Sequence, residues 1–302
     1  MQRRWLAPFA VDVAAVLAVH RRGHGDPAYA VDASGAIWRA CRTPDGPGTL
    51  RVAWRTASET EVSAAAWGPG ADWLLDALPG MLGGDDHPED FAPDHPVLRV
   101  MAGRRPQLRV GRTGLVLESL VPAVLEQKVV GLEATRAWRV LLRRFGEPAP
   151  GPAPGTMVVP PSAAGWAAIP SWEWHRAGVE AVRARTIERA ARAAGRMEEV
   201  AGMGPEDADR RLRALPGIGL WTSAEIRQRA CGDADAVSVG DYHLPSIVGW
   251  ALAGRVVDDT GMLELLAPYQ GHRHRAAMLA ARSGRRPPRR GPRMPVRDYR
   301  AF

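Results

Sequence analysis

The chain is almost without lysine. Lys128 is the only one in 302 residues, although Lys and Arg together number 40. A mechanism that needs a lysine amine as nucleophile has that one position to draw on. Cysteine is nearly absent too. Cys41 and Cys231 lie far apart, which points to a reducing compartment without a disulfide framework. Two thiolates also fall short of the four that hold an iron–sulfur cluster. No run of eighteen apolar residues occurs, so no transmembrane helix is expected. The first twenty residues, MQRRWLAPFAVDVAAVLAVH, imitate a secretion signal. Asp12 interrupts them, no clean cleavage site follows, and they alternate like a strand, so they are read as folded chain.

What is there is arginine and apolar residues. The formal net charge is +7 and hydrophobic residues make up 46% of the chain, enough for real cores in two domains. A basic surface suits a polyanion. A general Ala, Arg, Gly and Pro bias would give the same excess, so charge alone decides nothing.

Residues 1–112 read as an α+β region. Short alternating runs at Ala28–Asp32, Ala36–Ala40 and Leu50–Trp54 are separated by turn clusters, the pattern of an antiparallel sheet. Ala71–Leu82 reads as a helix ending near Pro79-Gly80. Residues 113–284 read as all-helical. Leu115–Phe145 opens this part with two apolar faces. Gly146–Pro161 reads as a Pro/Gly linker on the surface. Gly178–Ala194 reads as a helix with Val182, Ile187 and Ala190 inward and its arginines outward. Residues 285–302 form a basic Pro/Arg tail. Its charge is either idle or attracts phosphate non-specifically.

The chain is organised around Pro205–Ala253. Pro205-Glu206-Asp207 starts a helix, with acids favouring its positive end. Pro216-Gly217-Ile218-Gly219 stops it, and a second helical run begins at Leu220. Such a turn presents backbone N–H groups to a phosphate, or is an ordinary helical hairpin. About twenty residues on, Asp241 precedes another apolar run. Its commonest role there is a helix N-cap.

LPGIGLWTS followed at that distance by a capping Asp resembles the helix-hairpin-helix DNA glycosylases, most of all the bacterial 3-methyladenine DNA glycosylase II group. The resemblance covers most of the chain and is strongest over Leu115–Phe145 and Leu212–Leu252. It implies an N-terminal antiparallel β-rich domain followed by an all-α glycosylase domain. It also implies a monomer on double-stranded DNA that carries a damaged base. The expected location is cytoplasmic, on the nucleoid.

The resemblance makes Asp241 the catalytic carboxylate, able to stabilise an oxocarbenium-like sugar and to orient water. Trp221 is either pocket wall or core. With Glu225, Trp172, Trp174 and Tyr269 it forms the expected base pocket, where a cationic base would gain from aromatic faces. Trp172 and Trp174 cannot share a helix face, so one of them is expected in the core. Glu225 stands where close relatives carry an aromatic residue. DNA contacts are expected from Gln127, Lys128, Pro216, Gly217, Ile218, Gly219, Thr222 and Arg213, with Arg211, Arg227 and Arg229 alongside. Lys128 occupies the place of an apolar wedge. No cofactor or metal is expected: His272 and His274 lack ligand spacing. A monovalent cation at the carbonyls of Leu215 and Ile218 is the one exception.

Bifunctional relatives carry a lysine where this chain has Trp221. A monofunctional hydrolase acting on alkylated bases such as 3-methyladenine or 7-methylguanine, or on otherwise damaged ones, is therefore expected. The alternative is a non-catalytic module that recognises damaged or distorted DNA.

Overall fold

The computed structural model describes residues 1–56 and 59–288, so the arginine-rich stretch 289–302 of the expected tail lies outside the described residues. The chain opens with β1 (Gln2–Ala7), α1 (Val13–Ala18), β2 (Tyr29–Val31), β3 (Ile37–Thr43), β4 (Gly46–Thr56) and β5 (Thr60–Trp67). These strands form one antiparallel sheet in the order β1-β5-β4-β3-β2. β5 alternates buried and exposed residues, as a half-buried strand must. Its inward residues Val62, Ala64 and Ala66 join Leu50 and Val52 against Leu17 of α1 and Leu74 and Leu78 of α2 (Ala71–Met81). Burying each such leucine contributes about 1.5–3 kcal/mol.

The expected surface linker is a correction. Glu147–Pro148 (β6) pairs with Val158–Val159 (β7), and Met157 and Val159 are buried against Trp38 on the outer face of the sheet. Trp38 and Trp67 stack at 5.3 Å on that face. Apolar residues inside the Pro/Gly run need cover, and the face of β3 that carries Trp38 and Ala40 supplies it.

The helical part comprises α3 (Pro96–Arg104), α4 (Val116–Leu125), α5 (Gly131–Phe145), α6 (Ala163–Ala167), α7 (Ser171–Arg176), α8 (Ala181–Arg192), α9 (Ala194–Glu198), α10 (Pro205–Arg213), α11 (Leu220–Ile226), α12 (Leu244–Ala253), α13 (Asp259–Leu266) and α14 (Arg273–Arg282). No helix among the described residues is long and apolar enough to cross a membrane. One core lies between α4, α5, α8 and α11, around a stacked row of Trp138, Trp166 and Trp174. A second holds Leu98 and Met101 of α3 against α12, α13 and α14. There Arg275 pairs with Asp86, both almost fully buried, and Asp86 also accepts from Val110 N at 2.8 Å.

α8 corrects the expected facing. It starts at Ala181, and this phase leaves Val182 60% exposed while Arg183 turns inward. Arg183 Nη1 donates to the carbonyl of Leu125 at 2.8 Å, satisfying an orphan acceptor at the end of α4. The start of α4 is held by Glu198, which accepts from Val116 N and Leu117 N.

Candidate active site

α10 and α11 are antiparallel neighbours joined by the turn at Leu215–Gly219. Gly217 has φ +102°, and a Cβ there would lie 2.1 Å from Thr186 Oγ1, so only glycine fits. Gly219 is different: its φ is negative and its Cβ direction is open. Ile218 is buried beneath the turn, whereas Pro216 and Gly219 are exposed. Gln127, just past α4, fastens the turn from below. Its Nε2 donates to Gly217 O at 2.9 Å and to Thr222 Oγ1 at 2.8 Å. Thr222 is thus a buried internal partner, and the side of Gln127 that binds the hairpin is not offered outward. Lys128, next to it, is exposed with φ +55°, the one non-glycine positive φ among the described residues.

Asp241 lies beside this turn. Its Oδ1 accepts from His243 N and Leu244 N, both at 2.8 Å, so it caps α12 from two residues ahead of the N-cap position, which is His243, rather than as the expected N-cap itself. Its Oδ2 accepts from Trp221 Nε1 at 3.2 Å. The cap and the hairpin therefore share one carboxylate. Three of its lone-pair positions are used, and Oδ2 keeps room for one more donor such as a water. Tyr242, which the sequence reading passed over, is 88% exposed beside it.

The other expected pocket residues fare differently. Trp174 is 1% exposed and stacked on Trp166 at 6.0 Å, so it is core and has no face for a base. Trp172 projects into solvent from α7, an element packed on α8. Neither ring is brought to Asp241. Tyr269 lies edge-on to Phe91 at 5.8 Å, among the residues that pack around α12–α14. Glu225 is not a free carboxylate. Its Oε1 accepts from Ser238 Oγ at 2.6 Å and its Oε2 from Arg229 Nη1 at 2.8 Å. Burial pulls this carboxyl upward, but Arg229 and the Ser238 hydroxyl outweigh it and hold it below the usual range.

Of the arginines around the hairpin, Arg227 pairs with Asp233 and Arg229 with Glu225, both largely buried, and Arg211 pairs with Glu199. These pairs already occupy charges expected to face phosphate. Arg213 is 45% exposed in an i,i+4 pair with Asp209. Such a pair is worth under about 1 kcal/mol, so a phosphate competes for it. Among the described residues no group of three or more His, Cys, Asp or Glu is placed to hold a metal. The carbonyl of Leu215 accepts from Ile218 N, leaving its second lone pair for a cation.

A small, partly open pocket of about 20 Å³ lies between sheet and helices, lined by His20, Arg22, Asp26, Arg39, Glu118 and others. It is large enough for about one water. Asp241 and Trp221 are not part of it.

Solved structures share this fold. The 3-methyladenine DNA glycosylase of Archaeoglobus fulgidus superposes with a TM-score of 0.76 over 92% of this chain and 97% of its own, at 18% identity. The fold is that of the helix-hairpin-helix DNA glycosylases. The 8-oxoguanine glycosylase/lyase of Clostridium acetobutylicum matches in its apo-form with a TM-score of 0.71, covering 93% of this chain and 95% of its own at 9% identity. The same enzyme with double-stranded DNA containing cytosine opposite 8-oxoG gives 0.67, covering 93% and 97% at 10% identity. No family sequence model and no curated protein sequence matches the chain. At these identities the glycosylase likeness establishes the architecture; the chemistry has to come from the residues.

Proposed function

We propose that the protein is a monofunctional DNA N-glycosylase that flips an alkylated or otherwise damaged base out of duplex DNA and hydrolyses its glycosidic bond. The observation that carries this reading is the Asp241 carboxylate, held between the N-terminus of α12 and the Trp221 indole beside the glycine turn.

The turn and Lys128 bind backbone phosphate without sequence choice. The flipped sugar then sits above Oδ2 of Asp241. As the bond to the base lengthens, positive charge grows at C1′, and the fixed carboxylate stabilises it. Water bonds to C1′, its proton goes to Asp241, and the base leaves with the electron pair. A lyase step would need an amine at the reacting carbon. Trp221 stands at the hairpin position and Lys128 is the sole lysine, which supports hydrolysis alone.

The test is release of free base from damaged duplexes by wild type and by Asp241→Asn. Release that survives the substitution counts against Asp241. No release by wild type, with tight binding to abasic DNA, favours a recognition module instead. Borohydride trapping reads the lyase question: a covalent adduct in wild type that Lys128→Ala removes would refute monofunctional action.

A further inference from the structure

One helical turn beyond Trp221, the aromatic wall expected for a base pocket is replaced by a set of charged groups. Trp221 and Glu225 are i,i+4 neighbours, so they share one face of α11. Ser238, which donates to Glu225, lies three residues ahead of Asp241. Arg229 Nη1 donates to both the carbonyl and the carboxylate of Glu225, and its Nε reaches Val19 O at 3.4 Å. Its Nη2 has no hydrogen-bond partner among the described residues, and the side chain is 18% exposed. Arg22 comes within 3.6 Å of Glu126, the residue before Gln127. His274 of α14 lies within electrostatic reach of Glu225 and Arg229, and burial drives its imidazole down to about 4. Five separate stretches of chain, at residues 19–22, 126, 225–229, 238 and 274, thus converge on this cluster, one helical turn from the indole that donates to Asp241.

We propose that this Glu225–Arg229 surface is the base-recognition site, and that it selects neutral, carbonyl-bearing lesion bases, such as a deaminated purine, over cationic alkylpurines. This deepens the glycosylase reading above and rests on it.

Three physical points carry it. A cationic base is held by aromatic faces, and here Trp174 is core, Trp172 is in solvent and Glu225 replaces an aromatic ring. Trp221 remains with its N–H edge on Asp241, and Tyr242 beside it stands 88% exposed without a second Trp, Tyr or Phe ring against it, among the described residues, to complete a wall. Next, Glu225 is no spare anion for a cation, because Ser238 and Arg229 occupy both its oxygens, and two arginines balance two glutamates. Finally, the two base classes differ as leaving groups. A cationic base departs neutral. A neutral base departs holding the bond's electron pair as an anion, and its charge spreads onto the ring carbonyl. A guanidinium N–H beside that oxygen stabilises the departure. The base then takes its proton from solvent, so hydrolysis balances with water alone. A site built from such donors also rejects a base that offers no acceptor, since the donors are left unpaired.

The experiment uses the full chain and duplexes carrying one hypoxanthine or one 7-methylguanine, with single-turnover release of each base. Measured as acceleration over each base's spontaneous release from the same duplex, wild type is expected to favour hypoxanthine by at least about 10-fold, the weight of one charged hydrogen bond. Arg229→Met is expected to reduce that ratio about 10-fold, and Glu225→Gln, which loosens Arg229, to reduce it less. Each ratio comes from a single preparation, so the fraction folded cancels. A greater acceleration of 7-methylguanine release by wild type, or an unchanged ratio in Arg229→Met, overturns the proposal while leaving the hydrolase reading intact. If wild type releases neither base, as Asp241→Asn does, the hydrolase reading fails and this proposal falls with it.

Discussion

The indole N–H of Trp221 meets Oδ2 of Asp241 at 3.2 Å, while Oδ1 of the same aspartate caps α12. One side chain therefore serves structure through one oxygen and faces the hairpin through the other. The two roles separate by substitution. Asp241→Asn keeps a cap acceptor but turns an amide toward the indole N–H. It is expected to lower base release by about 100-fold or more, the scale of losing one transition-state stabiliser. Asp241→Ala removes the cap as well and is expected to cost a further ~0.5–2 kcal/mol of stability. Base release and denaturant unfolding on both variants read the two effects apart.

The two hairpin glycines have opposite requirements. Gly217→Ala puts a methyl into Thr186 at a φ of +102° and is expected to destabilise by about 1–3 kcal/mol. Gly219→Ala meets open space, so its unfolding midpoint should stay close to that of wild type. Its new methyl lies on the exposed side of the turn, so affinity for duplex DNA should fall without a matching loss of stability. Equal affinity losses that simply track stability in both variants would show that the exposed side of Gly219 does not approach DNA.

Gln127→Ala removes both donors that fasten the turn to the end of α4 and leaves the buried Thr222 hydroxyl short of a partner. A cost of ~1–3 kcal/mol is expected, with faster amide exchange confined to residues 215–222. Hydrogen exchange checks the location. Exchange that rises evenly over the chain would mean that Gln127 does not hold the turn in particular.

Stability should fall as pH is lowered from about 6.5 toward 4, in part through His274. Burial lowers its imidazole to about 4, while Arg229, Arg275 and Arg282 push the same way and Glu225 opposes. Between those values the unfolded chain binds a proton that the folded chain refuses, so the contribution is complete above the ordinary histidine range and is lost in acid. His20 is shifted in the same sense. Glu126 and Glu198, raised by burial, act the opposite way, from the ordinary carboxylate range upward. The difference between wild type and His274→Gln isolates the one term: a shallower slope between pH 4 and 6.5 in the variant is the expected result.

Much of the site could be read from residues close together in sequence. The glycine turn, the capping aspartate and Trp221 lie within one short stretch, and local rules for turns and caps are strong there. The opening residues, which alternate like a strand, do hold β1. β5 was missed, because it is built on serine and alanine, which carry weak strand preference. Trp174 read as a candidate wall because two tryptophans two apart leave open which one is buried; the row of Trp138 and Trp166 decides it. The Glu225–Arg229 pair is local, at i,i+4, but the rest of the cluster was beyond local reading, since it comes from positions 22, 126, 238 and 274.

α3 shows what such distance means during synthesis. Leu98 and Met101 share their core with Val248, Ala276 and Leu279, residues the ribosome adds roughly 150 to 180 positions later. The sheet can close as soon as it emerges, but α3 has to wait, with its apolar side uncovered, until the last helices leave the tunnel.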